Sequence, residues 1–182
     1  MYGRESIALL RDVNAIRIPE GTSVALPQGH IVTLFQALGG NYTVTDERGN
    51  MVRITGDDAD ALGKEPASLN ALEEGEDGAS IEKNAWAIMR TIFDPEIPVD
   101  IVELGLVYQC RITPHANGGH QVDIVMTLTA PGCGMGPVIQ QDVERGIGSL
   151  PGVAAVNVEV VFDPAWSRDM MSEAARLQLG ML

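Results

Sequence analysis

The sequence predicts an α+β protein in which a small all-β module precedes a domain of order α-β-β-α-β-α, a sandwich of helices on a sheet. Three observations carry this expectation. The first 66 residues are short β-branched or alternating runs broken by glycine and proline. After residue 80, two amphipathic helical faces interleave with three alternating strands. Between them, residues 67–79 are small, acidic and glycine-punctuated. The expected parts are therefore a β-rich module over 1–66, an acidic flexible linker over 67–79 and an α+β domain over 80–182.

In the first part, Ala15-Ile16-Arg17-Ile18 stops at Pro19-Glu20-Gly21, and Ser23-Val24-Ala25-Leu26 stops at Pro27-Gln28-Gly29. Both stops are turn signals. Residues 30–35 are apolar and β-branched and turn at Gly39-Gly40-Asn41. Tyr42-Thr43-Val44-Thr45 and Met51-Val52-Arg53-Ile54 flank a hairpin loop at 46–50. Asp57-Asp58-Ala59-Asp60 lacks the glycine and terminal glutamate of a calcium loop. It is read as the cap of a short helical turn that stops at Gly63.

In the last part, Ser80 is placed as N-cap of a helix. Ile81, Ala85, Ile88, Met89 and Ile92 follow at offsets 0, 4, 7, 8 and 11, one helical face. The helix must stop near Asp94-Pro95, because a residue before proline disfavours the α conformation. Leu106, Tyr108, Cys110 and Ile112 alternate with Val107, Gln109 and Arg111, and Val122, Ile124, Met126 and Leu128 form the next alternating face, after an Asn117-Gly118-Gly119 turn. Ile139, Val143, Ile147 and Leu150 mark a second helix, and Val156, Val158, Val160 and Phe162 a third strand. Ser167 is placed as cap of a final helix running to Gly180.

Composition excludes several functions. With 12 Lys+Arg against 25 Asp+Glu, the net charge of −13 opposes a primary grip on nucleic-acid phosphates or an anionic membrane. Aromatics at 4% leave little for stacking on bases. The start shows no signal peptide and no apolar run reaches spanning length, so a cytoplasmic location is expected. Two cysteines cannot build a disulfide scaffold, nor alone supply the four ligands of a structural zinc or a cubane cluster. No GxxxxGK[ST] loop is present.

Chemistry concentrates in two stretches. In Ala130-Pro131-Gly132-Cys133-Gly134-Met135-Gly136-Pro137 a strand ends and a helix begins, placing Cys133 at or just before a helix N-terminus. Unpaired N–H groups and the helix dipole favour a thiolate there, the nucleophilic and metal-binding form. The plainer account is a half-buried cysteine in a tight turn. In Asp94-Pro95-Glu96-Ile97-Pro98 two prolines fix a rigid corner presenting Asp94 and Glu96. The pair could serve as acid and base or as hard metal ligands, or Asp94 caps the corner while Glu96 is solvated. Cys110 shares the apolar face of its strand and reads as a buried structural thiol. Its spacing to His115 and His120 matches no standard zinc pattern.

These stretches resemble a known family. Asp94-Pro95-Glu96-Ile97-Pro98 followed by Ile101-Val102-Glu103-Leu104-Gly105-Leu106-Val107-Tyr108 resembles the opening motif of the small domain shared by SufT, PaaD and the eukaryotic cytosolic iron–sulfur targeting factors. Met126-Thr127-Leu128-Thr129-Ala130-Pro131-Gly132-Cys133 resembles the second motif, and Phe162-Asp163-Pro164-Ala165-Trp166 with Met171-Ser172 the third. The longer run to Pro137, and the β-rich part with Gln36-Ala37-Leu38-Gly39-Gly40, look like the SufT branch. The resemblance implies a role in maturing iron–sulfur proteins, with Cys133 as the reactive or ligating residue and Asp94 and Glu96 as companion acids.

The expected function is an accessory factor in iron–sulfur cluster assembly, transfer or recruitment to apo-proteins, without enzymatic turnover. Cys133 would bind a transient iron–sulfur cluster, and Cys133, Asp94 and Glu96 are the candidate metal ligands. One thiolate per chain cannot hold a cluster alone, so ligands must come from a homodimer, an exogenous thiol or a partner. Expected partners are iron–sulfur carrier or scaffold proteins and apo-protein clients, not nucleic acid or membrane. The alternative is a non-metal interaction module, either an adaptor or a PaaD-like accessory subunit of an oxygenase.

Overall fold

The alternation in the first part becomes six strands: β1 (Glu5–Ala8), β2 (Val13–Arg17), β3 (Ser23–Leu26), β4 (Ile31–Leu38), β5 (Asn41–Thr45) and β6 (Met51–Ile54). The structure is a computed structural model that describes residues 4–66 and 72–181. It divides into two units, Met1–Ser68 and Leu69–Leu182. In the first, the strands form one antiparallel sheet of order β1-β4-β5-β6-β2-β3. One side chain in two faces inward, so Val13 and Ala15 on β2 and Tyr42 and Val44 on β5 are buried. Gly39 and Gly40, at φ 59° and 80°, form the two-residue turn that requires left-handed backbone at both positions. The 46–50 loop is closed by the Asp46 carboxylate, which accepts from the N–H of Arg48 (2.9 Å) and Asn50 (2.8 Å). A 3-10 turn over Gly56–Leu62 ends at left-handed Gly63 and buries Ala59, Ala61 and Leu62. Its N-cap position is Thr55 rather than an aspartate, and Asp58 and Asp60 instead pair with Arg11 at 2.9 and 2.6 Å. Strand β1 has no sequence signal, since only four residues pair and solely with β4.

The second unit runs α1 (Gly78–Met89), β7 (Val107–Pro114), β8 (His120–Met126), α2 (Gly136–Gly148), β9 (Val153–Val160) and α3 (Glu173–Gln178). Its sheet has the order β7-β8-β9, with β7 and β8 an antiparallel hairpin and β9 parallel to β8. The parallel pair requires a crossover, which α2 supplies. Helices α1 and α2 pack on each other, α1 against β7 and α2 against β9. Ile81, Ala85, Ile88 and Met89 of α1 and Ile139, Val143 and Ile147 of α2 fill the core with Val122, Ile124 and Met126 of β8.

Several boundaries differ from expectation: β8 ends at Met126, β9 at Val160 and α2 at Gly148, short of Leu128, Phe162 and Leu150. Helix α1 is capped by Asp77, not Ser80: the Asp77 carboxylate accepts from the N–H of Ala79 and Ser80, both at 3.0 Å, and from the Ser80 hydroxyl at 2.8 Å. It ends at Met89, before Asp94-Pro95, where the Thr91 hydroxyl donates to the Ile88 carbonyl (2.7 Å) and the chain turns away. The final helix is capped by Ser172, whose hydroxyl accepts from Ala175 N–H at 3.0 Å, while Ser167 precedes only a 3-10 turn at Arg168–Met170. Of the acidic stretch 67–79, residues 67–71 lie outside the described residues. Farther along, Glu73 exchanges hydrogen bonds with the Asn84 side chain at 2.8 and 2.9 Å and so lies against α1. Among the described residues, no helix is long and apolar enough to cross a membrane.

Candidate functional site

Strands β8 and β9 run parallel and finish side by side at Met126 and Val160, and antiparallel β7 begins opposite Met126 at Val107. The stretches 90–106, 127–135 and 161–172 therefore meet the sheet at one end, and α2 starts there too. Thr127 N–H donates to the Leu106 carbonyl and Val161 N–H to the Met126 carbonyl, each at 2.8 Å. Three segments far apart in sequence are thus joined by backbone hydrogen bonds.

A clasp holds the first of these segments to the last. The Trp166 indole N–H donates to the Leu104 carbonyl at 2.7 Å, and the Tyr108 hydroxyl donates to the Pro164 carbonyl at 2.7 Å. Ser172 N–H donates to the Glu103 carbonyl at 2.9 Å, and its hydroxyl donates to the Glu103 carboxylate. That hydroxyl and the Arg90 guanidinium hold the Glu103 carboxyl below the usual range. Between them sits Gly105 at φ 76°, where an added Cβ would lie 2.2 Å from the Met170 carbonyl oxygen. Only glycine permits that approach. Glu103 and Ser172 meet across 69 residues and Gly105 meets Met170, contacts that periodicity along the chain cannot disclose.

The middle segment carries Cys133. Its side chain is half-buried while Pro131, Gly132 and Gly134 beside it are exposed. Gly132 turns the loop at φ 76°, and nothing lies within 4 Å of where its Cβ would stand. The Cys133 carbonyl accepts from Gly136 N–H at 3.0 Å, so the residue sits three positions before the first helical residue. No side-chain oxygen caps α2, whose positive end is left toward this loop. Behind it, a Cβ on Gly136 would stand 2.6 Å from Leu128 Cδ1, so the start of α2 is seated directly on that leucine.

The other candidates are placed differently. Asp94 is buried, and its Oδ1 accepts from Glu96 N–H (2.9 Å) and Ile97 N–H (3.0 Å), closing the corner as the plainer account had it. Burial pushes its carboxyl up, against the pull of those two N–H groups. Asp100 repeats the device on Val102 and Glu103, both at 3.0 Å. Glu96 is exposed. Among the described residues no three His, Cys, Asp or Glu side chains are grouped to hold a metal, so Cys133, Asp94 and Glu96 are not assembled as one ligand set, nor are Cys110, His115 and His120. Burial, with Glu82 nearby, pushes the Cys110 thiol up to about 11. It is thus a poor ligand at neutral pH, because iron takes the thiolate. The His115 Nδ1 accepts from Asn117 N–H at 3.2 Å. His120 is the half-buried first residue of β8.

Residues 82–160 match the family model described as iron–sulfur cluster assembly protein. An Fe-S protein maturation auxiliary factor of Porphyromonas gingivalis is 43% identical over 101 residues, covering 56% of this chain and 92% of that protein. The Fe-S protein maturation auxiliary factor SufT of Staphylococcus aureus is 41% identical over 90 residues, covering 50% of this chain and 98% of that one. An iron–sulfur cluster carrier protein of Synechocystis is 33% identical over 73 residues, 40% of this chain and 19% of the carrier. The matched family segment lies wholly in the second unit, and the six-stranded unit is outside it.

Proposed function

Because this chain belongs to the iron–sulfur cluster assembly protein family, we propose that it is an accessory maturation factor that passes a cluster to apo-proteins, with Cys133 as a transient thiolate ligand. The cluster is cargo rather than a resident cofactor. The observation that carries this is the setting of the two half-buried thiols: Cys133 sits in a glycine-flanked loop among exposed residues before α2, whereas Cys110 lies within strand β7, where desolvation and Glu82 push its thiol up.

Ligand count sets the mode of action. A cluster needs about four protein ligands, and this chain offers one thiolate. Cys133 releases its proton to solvent as it binds iron, and the remaining positions are open to thiolates of a carrier, a scaffold or the recipient. Each recipient thiolate that binds replaces a weak ligand until Cys133 is itself displaced and reprotonated. An incomplete site therefore favours hand-over rather than storage, and no redox step is involved. Asp94 supports the corner in this scheme and takes no metal.

Anaerobic reconstitution with iron and sulfide, read by visible absorption and iron content, tests the proposal. Wild type in the presence of a small thiol is expected to hold cluster, and Cys133→Ser to lose most of it. Equal cluster in both removes Cys133 from the ligand set. No cluster in either leaves recruitment of partners without metal, the interaction-module alternative.

A further inference from the structure

Strand β9 hydrogen-bonds to β8 alone, so its other side is a sheet edge. Its regular part, after a register shift near Val153, pairs Ala155 through Val160 with β8. Val161 N–H points to β8, and strand alternation then turns the N–H and C=O groups of Val156, Val158 and Val160 outward. The Gln140 amide confirms that direction, donating from α2 to the Val158 carbonyl at 3.0 Å. Among the described residues no other hydrogen bond reaches these three outward-facing residues.

The two edges of this sheet are treated differently. Strand β7 ends in Pro114, which cannot donate to a further strand, while each edge strand has one register shift and β7 carries one charge, Arg111. Strand β9 carries one charge, Glu159, in eight residues. Its far end leads to Phe162, 43% exposed, at the end of the sheet where the Cys133 loop lies.

We propose that the β9 edge is a docking strip for an extended segment of a client protein, which adds a fourth strand and brings its own cysteines to Cys133. This rests on the function proposed above and names how the missing ligands arrive. Charge selects the occupant. Glu144, beside Gln140, and exposed Glu159 and Asp163 surround the strip, while Arg145 is engaged by Asp142 at 3.2 Å. The segment that fits alternates β-branched and basic side chains. A second copy of this chain does not meet the need: antiparallel pairing of two β9 strands about Asn157 would set their Val160 ends ~20 Å apart, one thiolate at each end.

The test uses the full chain and a ten-residue peptide alternating valine and lysine, made with a Cys-Gly-Cys tag at either end, with the tag cysteines replaced by serine, and with alternate amides N-methylated. Hydrogen exchange should show the amides of Val156, Val158 and Val160 unprotected in the free chain and protected by the serine peptide. The N-methylated peptide should bind at least tenfold more weakly, because it cannot complete the ladder. Val160→Pro should weaken binding similarly while leaving the β8 ladder intact, since it removes only an outward N–H. Equal binding of the N-methylated peptide, or no protection at millimolar peptide, overturns the proposal. So does protection of the same amides in the free chain that rises with protein concentration, which assigns the edge to a second copy. Cluster bound by wild type with free thiol but no peptide docking fails this inference alone. Docking with no cluster held on any cysteine-tagged peptide fails the role of Cys133 and leaves the strip standing.

Discussion

Gly105 and Gly132 share a φ of 76° but differ in what surrounds them, which permits a measurement of the clasp. At Gly132 an added methyl meets nothing within 4 Å, so Gly132→Ala bears only the cost of left-handed backbone, ~1 kcal/mol. At Gly105 the methyl would lie 2.2 Å from the Met170 carbonyl oxygen and 2.8 Å from its carbon, both backbone atoms. That stretch of chain must retreat by at least ~1 Å to reach ordinary contact. The retreat strains the hydrogen bonds on either side, Trp166 to Leu104 at 2.7 Å and Ser172 to Glu103 at 2.9 Å. At ~1 kcal/mol each, these bring Gly105→Ala to ~3 kcal/mol. The chain's two tryptophans, Trp86 and Trp166, both lie in the second unit, so urea unfolding followed by their fluorescence reports on that unit. The expected result is a midpoint for Gly105→Ala about 1 M below that of Gly132→Ala. Midpoints within ~0.3 M of each other would refute the claim that the approach at Met170 braces the site.

Asp94→Asn keeps the acceptor for Glu96 and Ile97 N–H but removes a buried charge. Because the native carboxyl is raised, the native state binds its proton more tightly, and stability from this group falls as pH rises above the ordinary aspartate range. The asparagine variant should therefore match or exceed wild type at pH 7 in thermal midpoint and lose that decline, whereas Asp94→Ala should fall by ~2 kcal/mol. In Cys133→Ser, the alkylation rate of Cys110 should climb about tenfold per pH unit between 7 and 10, since its thiol titrates at about 11; a plateau below pH 9 contradicts the burial. Tyr108→Phe should cost ~1 kcal/mol through the lost bond to Pro164, seen in the same urea assay.

Elements governed by local periodicity are legible in the amino-acid sequence. The faces of α1 and α2, five of the six strands of the first sheet and the alternation of β7 to β9 follow from side chains facing one way every two or every 3.6 residues. Helix boundaries are less so, because Asp77 and Ser80, or Ser167 and Ser172, are equally competent caps and packing chooses between them. At the site, the glycines around Cys133 mark an open loop, and the loop is open. Asp94 is caught between two roles because a carboxylate that closes a turn and one that binds metal share the same local sequence. Glu103 and Ser172 stand in motifs of the resemblance, but their pairing spans 69 residues and no local pattern discloses it.

That span has a consequence for how the molecule is made. Synthesis delivers the chain from its amino end, and units fold as they emerge. The Cys133 loop leaves the ribosome before Trp166 and Ser172, the residues that brace its neighbours. A nascent chain thus carries its Cys133 loop beside unbraced neighbours until β9 and the turn to Ser172 arrive, and only then can the clasp across the end of the sheet close.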